Sequence, residues 1–98
     1  MSQNRRSKIL IVDDENVNIR VVQKHLSRVG HTNFVTTTDA TQALKLVRHH
    51  RPDVIISDVV MPEVSGLEIL ADVRRDPDLI NIPVLVLTAS ADPETKLK

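Results

Sequence analysis

Short apolar runs that stop abruptly at polar residues alternate along this chain with stretches whose apolar residues recur every three or four positions. Lys8-Ile9-Leu10-Ile11-Val12, Val54-Ile55-Ile56-Ser57 and Pro83-Val84-Leu85-Val86-Leu87 are short, β-branched and nearly continuous, which predicts buried strands. Residues 33 to 37 are a weaker and more polar strand, suited to a sheet edge. Between the first two strands Ile19, Val22, Leu26 and Val29 recur with helical period, and Gly30 follows as a cap, predicting a helix over 16–29. Asp39 with Gln42 three residues later opens a second helix, whose buried stripe is Ala40, Ala43, Leu44 and Val47 and which Arg51-Pro52 ends. Ser65 and Glu68 form a capping box for a third, with Leu67, Leu70 and Val73 turned inward and Asp76-Pro77 as its stop. Asp92-Pro93-Glu94 then begins a fourth.

Strands and helices thus alternate four times, the pattern of βαβ units around a parallel sheet. Right-handed crossovers put the first and third strands side by side with the fourth beyond the third. The fold class expected is α/β, a three-layer doubly wound parallel sheet of strand order 2-1-3-4.

Composition narrows the function more than the fold. The 98 residues suffice for one domain over 8–98, preceded by a charged tail at 1–7. Lys+Arg and Asp+Glu are both 13, so no global field draws the chain to nucleic acid or a membrane. Phe34 alone supplies no stacking platform for bases. Without cysteine there is no disulfide, thiolate metal site or Cys nucleophile. No apolar run approaches the ~20 residues of a bilayer span, and the first residues lead into a strand instead of a signal peptide's apolar core, so a cytoplasmic location is expected.

The chemistry gathers at strand ends. Asp13-Asp14-Glu15 follows the first strand, Asp58 the third and Thr88 the fourth. At the carboxyl edge of an open parallel sheet these side chains converge where ligands bind. Clustered carboxylates repel unless a proton or cation sits among them, and magnesium takes oxygen ligands from one or two carboxylates, waters and a phosphate. Asp14 and Asp58 suit that role, with Asp13 acting through a water. An Asp carboxylate can also attack phosphorus to give an aspartyl phosphate, and the Thr88 hydroxyl could donate to a phosphoryl oxygen.

These residues together resemble a known family. The apolar strand with Asp13-Asp14-Glu15, the strand ending in Asp58, Met61-Pro62, Gly66 and Leu87-Thr88-Ala89 are similar to the receiver domain of two-component response regulators, over about residues 8–98. The resemblance implies a flavodoxin-like fold and a phosphorelay signalling module in place of an enzyme, at most self-catalysing its phosphorylation and dephosphorylation. It makes Asp58 the phosphoacceptor, Asp14 a direct Mg²⁺ ligand, Asp13 an assisting acid, the Val60 backbone carbonyl a further ligand and Thr88 the switch hydroxyl. The phosphoryl donor implied is a phosphohistidine on a sensor histidine kinase or histidine phosphotransfer protein. Such domains continue with a fifth strand carrying a lysine that pairs with the phosphoryl group and then a last helix, which this sequence does not reach; Lys96 and Lys98 fall in the fourth helix, so neither matches that lysine. The fourth strand is then expected to present an apolar edge, open to homodimerisation or domain swapping.

Other readings explain less. Aspartyl-phosphate phosphatases resemble one another in a second Asp two residues after the nucleophile, where this chain has Val60. A flavin or nucleotide domain needs a Gly/Ser/Thr-rich loop after the first strand, where this chain has three acids. A receiver-like interaction fragment that is never phosphorylated remains the alternative. His25, His31, His49 and His50 lack metal-site spacing and are expected in solvent.

Overall fold

The computed structural model describes residues 7–58 and 64–87. In chain order the elements are β1 (Lys8–Val12), α1 (Asn16–Arg28), β2 (Asn33–Thr37), a 3₁₀ turn (Ala40–Gln42), α2 (Ala43–His50), β3 (Val54–Asp58), α3 (Gly66–Arg75) and β4 (Val84–Leu87). All strand pairs are parallel and the order is β2-β1-β3-β4, as the doubly wound reading expects. The polar strand β2 lies at an edge and apolar β1 and β3 are central. No helix among the described residues is long and apolar enough to cross a membrane.

The strand period of two sorts side chains between the layers. Leu10, Val12 and Ile55 point to one face and pack with Ala40, Ala43 and Val47 of the second crossover and Ile69 and Val73 of α3. Ile9, Ile11 and Ile56 point to the other and pack with Ile19 of α1. Each buried Leu, Ile or Val among them contributes roughly 1.5–3 kcal/mol, so these two clusters hold the sheet that positions the site.

Several boundaries differ from the sequence pattern. Helix α1 ends at Arg28; Val29 is its cap and is 70% exposed, because Gly30, at φ 100°, turns the chain away toward β2. Asp39 caps as expected, but its carboxylate accepts from the Thr41 N–H at 3.0 Å and the first turn is 3₁₀. In α3 the inward residues are Gly66, Ile69 and Val73, while Leu67 is 58% exposed. His31 is half-buried, its Nδ1 buried without a partner among the described residues, and His50 is half-buried too; His25 and His49 are exposed as expected. Burial, before the neighbouring His49 and Lys8, lowers the His50 pKa. The fourth helix expected from Asp92-Pro93-Glu94 lies outside the described residues.

Candidate metal and phosphoryl site

The pairing register brings the acids together. Val12 of β1 pairs with Ser57 of β3, so Asp13 and Asp58 each follow a paired couple at the same level of the sheet. Asp13, Asp14 and Asp58 each offer a carboxylate oxygen, and these atoms lie within 4.8 Å of one another. Asp14 is exposed while Asp13 and Asp58 are half-buried. Like charges that close repel by roughly 1 kcal/mol per pair in water and several times that at a partly buried site.

The site is built to hold its acids in place despite this. The Asp13 N–H donates to the Thr37 carbonyl at 3.2 Å, tying the loop to the end of β2. Asp13 Oδ1 accepts from the Glu15 N–H at 2.9 Å and from Asn18 Nδ2 at 3.4 Å. Burial raises the Asp13 pKa above its ordinary value of 3.8; those two hydrogen bonds oppose the rise, and the charges of Asp58 and Asp14 add to it. Beneath Asp58, the fully buried Ser57 hydroxyl donates to the Asp58 carbonyl at 3.1 Å. Helix α3 starts against that same carbonyl: a Cβ on Gly66 would stand 2.4 Å from the Asp58 oxygen, so only glycine permits the approach. The Ser65 hydroxyl caps this helix by accepting the Glu68 N–H at 3.3 Å.

Three of the five site residues expected from the sequence, Asp13, Asp14 and Asp58, therefore meet. Val60 and Thr88 lie outside the described residues, as does the Met61-Pro62 loop. Asn18 and Ser57 were not singled out by the sequence pattern. The available signal for Asn18 is that it stands four residues before Val22 and eight before Leu26, on the stripe where an apolar residue is expected. Three carboxylates without sulfur or imidazole form a hard oxygen donor set, which fits magnesium or a similar divalent ion.

The chain resembles characterised proteins over most of its length. It is 37% identical over 87 residues to the probable transcriptional regulator ycf27 of Guillardia theta, covering 89% of this chain but 33% of that protein. It is 37% identical over 83 residues to the polar-differentiation response regulator DivK of Brucella anthropi, covering 85% of this chain and 67% of DivK. The crystal structure of the phosphorylated cyanobacterial phytochrome response regulator RcpA superposes with a TM-score of 0.75 at 34% identity, over 93% of this chain and 71% of that one. The chain thus spans a third to about two-thirds of the curated relatives it matches. Residues 9–98 match the response regulator receiver domain, and with the parallel order and the acidic strand ends this establishes that the chain belongs to the response regulator receiver domain family.

Proposed function

We propose that this chain is the phosphoacceptor of a two-component phosphorelay, with Asp58 taking a phosphoryl group from a phosphohistidine on a sensor kinase or phosphotransfer protein. The observation that carries the reading is the convergence of three carboxylates, from the ends of β1 and β3, within 4.8 Å. An Asp58 carboxylate oxygen forms the new O–P bond as the donor's P–N bond breaks, and the released imidazole takes up a proton from water. Asp13, Asp14 and Asp58 would hold Mg²⁺, which supplies neutralisation of the incoming phosphoryl charge when bound. The resemblance adds the Val60 carbonyl as a ligand and the Thr88 hydroxyl as the phosphoryl-sensing group. Phosphorylation of the RcpA relative supports the same chemistry here.

Incubation with a small acyl-phosphate donor and Mg²⁺ is expected to add one phosphoryl group, labile to base and hydroxylamine, in the wild type and none in Asp58→Asn. Intact-mass measurement reads this directly. Label retained in Asp58→Asn would move the acceptor elsewhere, and none in the wild type would favour an interaction module that is never phosphorylated.

The partner reading has a second element. On β4, Leu85 and Leu87 are 53% and 45% exposed, and the strand lies at the edge of the described sheet opposite β2. Such an edge supports self-association, by pairing or by exchange of elements with a second copy. Light scattering at micromolar concentration is expected to show species above the monomer mass, and a clean monomer with a cooperative melt would refute it. Signalling in the cytoplasm, away from nucleic acid and membrane, completes the reading.

A further inference from the structure

The first turn of α1 carries an amide where its face calls for an apolar residue. Asn18, Val22 and Leu26 stand four residues apart; the latter two pack against the Ile9–Ile11–Ile19–Ile56 core, and Asn18 is half-buried at the end of their stripe. A carboxamide there loses water contacts that must be replaced. Its Nδ2 reaches Asp13 Oδ1 at 3.4 Å, the same oxygen that accepts the Glu15 N–H at 2.9 Å. Two donors thus converge on one oxygen of a carboxylate whose neighbours are Asp14 and Asp58.

We propose that Asn18 is a positioning residue of the cation site: by occupying Asp13 Oδ1 together with the Glu15 N–H, it fixes the carboxylate so that Oδ2 serves the metal or a water of its shell. An amide suits this position because it donates without charge. A lysine would compete with the cation, an aspartate would add a fourth negative charge, and a leucine would leave Oδ1 with a single donor and the carboxylate free to rotate. The inference rests on the phosphoacceptor reading only for the identity of the ion, since binding of magnesium is measurable without any phosphoryl transfer.

The test compares the wild type with Asn18→Leu, which suits the apolar stripe, and Asn18→Ser, which keeps a donor on a shorter side chain. Thermal melts across a MgCl₂ titration give the Mg²⁺-free stability and the half-saturating concentration. Asn18→Leu is expected to melt at or above the wild-type temperature without Mg²⁺, yet to need about tenfold more Mg²⁺ for half-maximal stabilisation, the low end of the effect of removing a partner of a metal ligand. Asn18→Ser should fall between the two. Labelling by an acyl phosphate should be slowed in Asn18→Leu at low Mg²⁺ and return to within about twofold of wild type at saturation, the split expected when the affinity changes and the chemistry does not. An unchanged Mg²⁺ midpoint in Asn18→Leu overturns the proposal, whatever happens to its stability. If Asn18→Leu does not fold, Asn18→Ala carries the same comparison. A wild type that binds Mg²⁺ with an Asn18-dependent midpoint but takes no label would refute the phosphoacceptor reading and leave this one standing.

Discussion

Aspartates flank β3 at both ends, and they do opposite things. At the amino end, the Asp53 carboxylate accepts the Lys8 N–H at 2.8 Å while its own N–H donates to the Lys8 carbonyl at 2.8 Å, closing a ring that joins the starts of β1 and β3. Lys8 is also the cation of that corner, its ammonium 3.4 Å from the His50 carbonyl. At the carboxyl end, Asp58 faces two more carboxylates, and the pKa of one of them, Asp13, is pushed up by burial and then by its acidic neighbours. Residue type does not separate these roles, but company does. An acid answered by a backbone donor is a strand clamp, whereas acids answered by acids store repulsion that a cation releases.

The largest expected effect breaks the carboxyl end. Gly66→Ala places a methyl 2.4 Å from the Asp58 carbonyl oxygen, and the nearest obstacle is backbone, which cannot swing aside as a side chain would. Overpacking of this kind typically costs about 1–3 kcal/mol, and urea titration should find a loss in that range. Because the clash is with Asp58 itself, phosphoryl labelling should fall as well, even at temperatures where the variant is folded. Wild-type stability in Gly66→Ala would mean that α3 can stand off from β3.

A smaller loss is expected at the amino end. Asp53→Ala removes the acceptor of the Lys8 N–H and should cost about 1 kcal/mol. The decisive readout is the contrast: the Mg²⁺ midpoint and the labelling rate should be those of the wild type. A shifted midpoint would show the two ends of β3 to be coupled, and the distinction between clamp and site would fail.

A residue's place is legible in the sequence to the extent that local pattern, and not tertiary contact, decides it. The strands and their order were readable because β-branched runs answer only to burial, and the three acids because their placement follows from the order. Leu67 departs from the sequence pattern because its helix offers two apolar faces, and the choice is made by a tertiary contact: Gly66 packs on Asp58, which turns Gly66, Ile69 and Val73 inward and rotates Leu67 into solvent. Leu79, 1% exposed, lies in the loop between α3 and β4, beyond any periodic pattern. Asp76 folds that loop inward, its carboxylate accepting the Asp78 N–H at 2.9 Å and its carbonyl the Leu79 N–H at 2.9 Å. The role of Asn18 is not legible in the sequence, because an amide on a helix has no distinct pattern apart from the carboxylate to which it donates.

The smallest effect should have the opposite sign to the others. Asp13→Asn keeps an oxygen to accept the Glu15 N–H but removes the charge that burial and the neighbouring acids disfavour. An acid whose folded pKa is raised binds its proton more tightly in the native state than in the unfolded chain. Its ionisation therefore takes stability away as pH rises through the window above 3.8, and returns it as pH falls. Without Mg²⁺, Asp13→Asn should melt slightly above the wild type at pH 7, and the difference should vanish below about pH 4, where both chains are neutral at this position. Adding Mg²⁺ should reverse the ranking, since the wild type gains from binding an ion that the variant holds less well. The same substitution at Asp53, where the carboxylate meets a backbone donor instead of other acids, should show neither the gain without metal nor the reversal with it. Should Asp13→Asn melt below the wild type in Mg²⁺-free buffer at pH 7, the carboxylates would not be in conflict, and the contrast between the two ends of β3 would lose its electrostatic basis.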